Sequence, residues 1–247
     1  MNFDWPYFWS QLLTPSGAFL SGLGLTVLMA VSAQILGSVL GLFIAFARLS
    51  PGKPFSFAAA AYVWIVRGTP LLVQIVFIYT ALAAANIVRF NDITVGPIVF
   101  PGNVQAGIVA LAINEAAYMA EIFRAGIMAV DKGQVEAAKA LGLSRVMVMR
   151  HVVLPQAFRI VLLPIGNQFN IMLKNTTLVS VIGVSEMLLV TQTINSATFR
   201  TFELYSVLGL YFLLLTSLWT LAMAWVERKL SPKRDPMPAR LLPQGRA

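Results

Sequence analysis

Apolar residues along this chain fall into runs too long for a soluble core, and polar residues interrupt them at only a few places. Five segments are long and apolar enough to cross a bilayer, about 20–47, 59–85, 104–128, 153–176 and 204–227, since a crossing takes ~20 mostly apolar residues. The second opens among Arg67-Gly68-Thr69-Pro70, which blurs its start. The fourth contains Pro155, Arg159, Pro164, Gly166, Asn167, Gln168, Asn170 and Lys174, and its pattern predicts a broken or partly buried helix. The stretch 176–199 is too polar in its second half to span and is expected to fold back at the outer side. Ahead of the first crossing, Trp5, Tyr7 and Trp9 suit either a short helix at the lipid headgroups or a loosely ordered tail.

A well-punctuated polar segment, DKGQVEAAKALGLS at 131–144, lies between the third and fourth crossings. Asp131 is placed to cap a helix, and Gln134 three residues later completes a capping-box pattern. Glu136 falls in the first turn, where the helix dipole favours a carboxylate. Gly142 suits the left-handed residue that ends a helix, and Ser144 caps the next. The pattern predicts a helix of ~3 turns, too short and polar for lipid. Ala137, Ala138 and Ala140 give it little bulk. It reads equally as a knob for another protein's groove or as a plain connecting turn.

Composition agrees with the membrane reading. Hydrophobic residues make up 58% and charged residues 11%, against about 25% charged in soluble domains, and the mean hydropathy is +0.77. The absence of cysteine excludes disulfides, thiolate metal sites and cysteine nucleophiles. The N-terminus carries Asp4 where a signal peptide would be basic. The net charge of +8 invites nucleic acid as a partner, but the distribution answers otherwise. With the polar segment inside, all but three of the 18 Lys and Arg fall at the inner side, Arg89 and Arg200 being outside and Lys174 within the fourth crossing. That asymmetry orients the chain with its N-terminus outside and its C-terminus inside and leaves no role for nucleic acid. Gly37 and Gly41, in GSVLG, give the first crossing a small face for close helix packing. No internal repeat of an inverted-repeat transporter is visible. The Pro- and Arg-rich tail 229–247 is expected to be flexible.

The central segment resembles the EAA loop of ABC importer permeases. Glu136-Ala137-Ala138, three residues, Gly142, nine residues, Val152 and then Leu154-Pro155 follow its spacing, with Val152 where the pattern usually has Ile. The chain also resembles the polar amino acid permeases of that family in RGTPLLVQ (67–74), AAYMAEIFRAGI (116–127), GQVEAAKALGLS (133–144), LPQAFR (154–159) and LKNTTLVSVIGVSE (173–186). The resemblance implies an all-α integral membrane fold with five transmembrane helices, the type I importer architecture. It implies a periplasmic N-terminal segment over 1–19, a transmembrane domain over 20–228 and a cytoplasmic tail, in the bacterial inner membrane. It further implies that Glu136, Ala137, Ala138, Gly142, Leu154 and Pro155 form a cytoplasmic coupling helix and its flank. The implied partners are two ATP-binding subunits, a second permease chain, identical or homologous, and a periplasmic amino acid-binding protein. No cofactor is implied on this chain. Its only Gly-Lys step, Gly52-Lys53, is followed by Pro54 and lacks a phosphate-binding loop's spacing.

Candidates for a solute path come from polar groups at depth, which are costly in lipid. Glu115 lies ~11 residues into the third crossing, or ~16 Å, near mid-bilayer. Asn167, Asn170 and Lys174 share one face of the fourth, behind Pro164 and Gly166, which are expected to loosen the helix and free carbonyls. Glu115 could meet a zwitterion's ammonium, and Lys174 with the asparagines its carboxylate. Alternatively Glu115 and Lys174 pair with each other or with backbone. Glu121 and Arg124, three apart, are expected to pair. An intramembrane enzyme is disfavoured by the single histidine, His151, and the lack of a metal-ligand pair. A channel would not need a capped docking helix. A related permease for another small solute, such as an opine or an anion, stands as the alternative.

Overall fold

The computed structural model describes residues 3–230, so most of the tail expected at 229–247 lies outside the described residues. In chain order the helices are α1 (Trp5–Leu13), α2 (Gly17–Leu49), α3 (Lys53–Gly68), α4 (Leu71–Val76) and the single turn α5 (Leu82–Ala84). A hairpin of β1 (Ile93–Val95) and β2 (Ile98–Phe100) follows. Then come α6 (Gly102–Met128), α7 (Lys132–Ala140), α8 (Arg145–Val148), α9 (Leu154–Asn175), α10 (Met187–Thr198) and α11 (Thr201–Leu230). Four long apolar helical runs suffice to cross a membrane: α2, α6, the continuous run from α8 through α9 to Ile182, and α11. A fifth is made if α3 and the run from α4 to the end of α5 at Ala84, bent by 107° at the break between them, count as one span.

That bend explains the blurred start of the second crossing. Pro70 has no N–H to continue α3 and forces its predecessor out of helical geometry; Thr69 is extended, at φ −118° and ψ 145°. The carbonyls this exposes are taken by one side chain. Gln74 Nε2 donates to Val66 O at 2.7 Å and to Thr69 O at 3.1 Å. Asn114 on α6 holds the other end of that amide, its Nδ2 donating to Gln74 Oε1 at 3.0 Å. RGTPLLVQ is thus a kink and its latch.

The core is built on α2 and α6, which approach closely because their contact residues are small. A Cβ on Gly37 would lie 2.6 Å from Glu115 Cβ, and one on Gly41 would lie 2.6 Å from Met119 Cβ. Met29, Leu111, Met172 and Val179 complete the buried centre. At one end Asn103 Nδ2 donates to Gly183 O at 2.9 Å, fixing the start of α6 against the turn after α9. Here the chain does fold back: Gly183 is left-handed at φ 77°, and Glu186 caps α10, accepting from Leu188 N and Leu189 N at 2.9 Å each. α1 is no loose tail. Asp4 N donates to Glu203 Oε1 at 2.8 Å, Arg200 pairs with Asp4 at 2.7 Å, and Tyr211 Oη donates to Leu12 O at 2.9 Å. At the other end Arg48 of α2 pairs with Glu121 of α6 at 2.8 Å, and the expected Glu121–Arg124 pair forms at 2.7 Å.

The fourth crossing differs from a broken helix. α9 runs unbroken through Pro164 and is buried along one side, which is the partly buried helix of the expectation. The carbonyl of Gly166 is engaged, because Trp219 Nε1 on α11 donates to it at 2.8 Å.

Candidate functional site

Two features concentrate polar chemistry: α7 with its flanks, and the exposed face of α9. In α7 the caps act as their chemistry dictates, but Glu136, expected in the first turn, is the fifth residue of the helix and lies beyond it. Asp131 Oδ1 accepts from Gln134 N at 3.0 Å. At the far end Leu143 N donates to Ala138 O at 3.2 Å and Gly142 N to Lys139 O at 2.9 Å, with Gly142 at φ +81°, a Schellman arrangement. Ser144 Oγ accepts from Met147 N at 3.4 Å and starts α8. Gln134 does not complete the capping box. Its Oε1 instead accepts from Gln156 Nε2 at 2.7 Å, and the same amide donates to Val152 O at 2.9 Å.

The 100° advance per helical residue separates the three alanines. Ala138 turns inward and is buried with Val130, Val148, Val153 and Ala157. Glu136, Ala137 and Ala140 are exposed. Leu141, at the tip, is 83% exposed, and Val146 is 75% exposed. α7 is therefore seated on the bundle by one side and bare on the other, with an apolar tip. Between α8 and α9 the backbone takes a π turn, Met149–Val153. Pro155 crowds the preceding turn and returns no hydrogen bond to it, so a wider turn fits there. Leu154 and Pro155 line a groove of about 620 Å³ with Ser38, Leu42, Phe123 and Ile127. His151 is exposed, its Nδ1 3.1 Å from Met147 O.

On α9, Asn167 and Lys174 are exposed, within a stripe that also shows Ile160, Leu163 and Ile171. Asn170 is half buried and donates to Thr220 Oγ1 on α11 at 3.2 Å. Glu115 is elsewhere. It is 1% exposed, backed by Gly37, and accepts from Gln168 Nε2 at 3.1 Å. Gln168 stands on the inner face of α9, one residue from Asn167. The four path candidates thus divide: the fold brings Asn167 and Lys174 to one surface and puts Glu115 behind it. Among the described residues no ion pair joins Glu115 to Lys174, and none of their His, Asp and Glu residues cluster as a metal site would need.

Residues 37–232 match the family described as binding-protein-dependent transport system inner membrane component. The chain belongs to that family. Its members are transport-system components, and family and apolar helices together make this a multi-pass inner-membrane protein, helical apart from the β1–β2 hairpin. The chain is 36% identical to the glutamine transport system permease protein GlnP of Escherichia coli over 93% of its length and 99% of the relative. It is 37% identical to the octopine transport system permease protein OccM of Rhizobium radiobacter, over 95% of its length and 93% of the relative. Among solved structures, an amino acid ABC transporter crystallised with histidines superposes with a TM-score of 0.81 at 39% identity, covering 93% of this chain and all of that one.

Sequence reasoning missed three parts of the site. Leu141 and Val146 are exposed apolar residues beside the family motif; counting 100° steps from the inward Ala138 puts Leu141 at 300°, on Ala138's own side, so periodicity gave no signal for it. Gln156 gave no local signal, because its partner is 22 residues away. The backing of Glu115 by Gln168 needed the tertiary fold.

Proposed function

We propose that this chain is the permease subunit of an ATP-binding cassette importer that carries a polar L-amino acid across the bacterial inner membrane by alternating access. The observation that carries the reading is α7: a short helix capped at both ends, seated against α8 and the π turn before α9 and bare on its outer side. Leu141 is exposed there ahead of the fourth crossing, and Val146 at the very start of that run, where a large apolar residue gains by being covered. Two ATP-binding subunits, one for each of two permease chains, are the covering partners, and a periplasmic binding protein delivers the solute. Glu136, Ala137 and Ala140 meet the ATPase cleft. Ala138, Gly142, Leu154 and Pro155 hold the helix and the start of α9 to the bundle. The basic residues orient the chain, with its N-terminus periplasmic and α7 cytoplasmic.

Asn167 and Lys174 cannot face hydrocarbon without large cost, so the exposed stripe of α9 faces a second permease chain across a water-filled path. Lys174 and the asparagines take the solute carboxylate. Glu115 supports this face from behind through Gln168. An opine is the alternative, which the glutamine relatives and the amino acid transporter structure do not favour over an amino acid. The test is uptake by proteoliposomes holding the permease, its ATPase subunits and its binding protein, offered labelled glutamine, arginine or octopine. Uptake of an amino acid that requires ATP and the binding protein supports the proposal. Uptake without ATP, or of octopine alone, overturns it.

A further inference from the structure

The groove beside the kinked α3 has a charge surplus that the transport reading does not use. Arg48, Ala60, Trp64, Arg67, Tyr118 and Glu121 line a space of about 540 Å³. Both oxygens of Glu121 are taken, Oε1 by Arg48 at 2.8 Å and Oε2 by Arg124 at 2.7 Å. Arg67 lies over the Tyr118 ring, its guanidinium carbon 5.2 Å from the centroid, and has no carboxylate partner among the described residues. Three guanidiniums therefore surround one carboxylate. The groove opens on the outer side of α3, where Phe57 is 76%, Trp64 77% and Ile65 53% exposed. Arg48 stands in the last turn of α2, so the groove reaches the end of that span, and cations beside an outward Trp there are the chemistry of a lipid headgroup boundary. Basic pockets between membrane helices attract anionic headgroups, and a guanidinium pairs with phosphate through two parallel hydrogen bonds.

We propose that this groove is a binding site for an anionic phospholipid, its phosphate held by Arg67 and Arg48 and an acyl chain lying along Trp64 and the outer face of α3. The occupant is a lipid rather than a soluble anion because the aromatic and aliphatic residues continue outward from the cations, which suits a headgroup with a tail. The kink at Pro70 ends α3 just past Arg67, so the bend that shapes the second crossing also presents this charge at the groove.

The test uses the full-length chain in neutral detergent, titrated with phosphatidylglycerol or phosphatidylcholine and read by native mass spectrometry. Phosphatidylglycerol is expected to be retained roughly five-fold better, with Arg67→Gln erasing that preference and Arg67→Lys keeping part of it. Arg159→Gln, on α9 away from the groove, is expected to leave it unchanged. Quenching of Trp64 fluorescence by bromine-labelled phosphatidylglycerol, seen as the quenching lost in Trp64→Phe, tests the site without an arginine variant. Equal retention of the two lipids overturns the proposal, as does a preference that survives Arg67→Gln. Inorganic phosphate that displaces the lipid at millimolar concentration would mark a simple anion site and overturn it too. Disulfide formation between two chains carrying Trp64→Cys would show a second copy on this face, with the same consequence.

Discussion

Gln156, in the first turn of α9, donates its amide to the side-chain oxygen of Gln134 on α7 at 2.7 Å. This bond ties the helix proposed to meet the ATPase to the helix proposed to line the path. The cluster of Val130, Ala138, Val148, Val153 and Ala157 lies beside it. Apolar packing resists compression but lets surfaces slide, whereas a directed bond fixes register. Gln156→Leu is expected to leave the complex assembled and basal ATP hydrolysis near normal while uptake falls several-fold. An exposed neutral hydrogen bond is worth about 1 kcal/mol. Uptake and hydrolysis measured on the same proteoliposomes give the ratio, and Gln134→Ala added to Gln156→Leu should cost little more.

Lys174 and Glu115 are expected to respond differently. Lys174→Met should raise the substrate concentration for half-maximal uptake and leave thermal stability unchanged, since the side chain is exposed. Glu115→Leu should lower the melting temperature in detergent, because it leaves the Gln168 amide buried without its acceptor, a loss of about 1–3 kcal/mol. Glu115→Gln, which keeps an oxygen there, should recover most of that. A Glu115→Gln chain that is fully stable but inactive would instead place Glu115 in contact with solute.

The close approach of α2 and α6 predicts an order among glycines. Gly41→Ala puts a methyl 2.6 Å from Met119 Cβ and 2.9 Å from a backbone oxygen, which cannot move cheaply, and should cost about 1–3 kcal/mol. Gly24→Ala, on the same helix with nothing within 4 Å, should be neutral or slightly stabilising. Thermal unfolding of the two variants side by side checks the pair.

Glu186 supplies a pH dependence. Burial lifts its carboxyl from the ordinary 4.5 to about 7, against the pull of the Leu188 and Leu189 backbone N–H groups. The folded protein thus holds a proton that the unfolded chain releases, so stability falls as pH rises from about 4.5 to about 7. The span corresponds to on the order of 3 kcal/mol. The melting temperature should drop between pH 5 and pH 8 more in the wild type than in Glu186→Gln; parallel curves would contradict this.

The parts of the fold legible in the sequence were those set by neighbours in the chain. Asp131, Gly142 and Ser144 act within three or four residues, and the crossings other than the kinked second announce themselves by length and hydropathy. Pairings across the chain were not legible. Gln74 latches the α3–α4 kink to Asn114, 40 positions on, and Arg48 reaches Glu121 between helices. Periodicity grouped Asn167, Asn170 and Lys174 on one face of α9; the structure exposes Asn167 and Lys174 but turns Asn170 to Thr220 of α11. Periodicity could not show that Gln168, one residue from Asn167, would turn to Glu115 and close it off.

The chain has no cysteine, so Leu141→Cys places a single thiol at the tip of α7. The most direct measurement is the yield of crosslink from that thiol to a nucleotide-binding subunit in the reconstituted importer, with and without ATP. Efficient capture whose yield changes with ATP is the expected result. A complex that imports at full rate while this thiol captures no such subunit would contradict it.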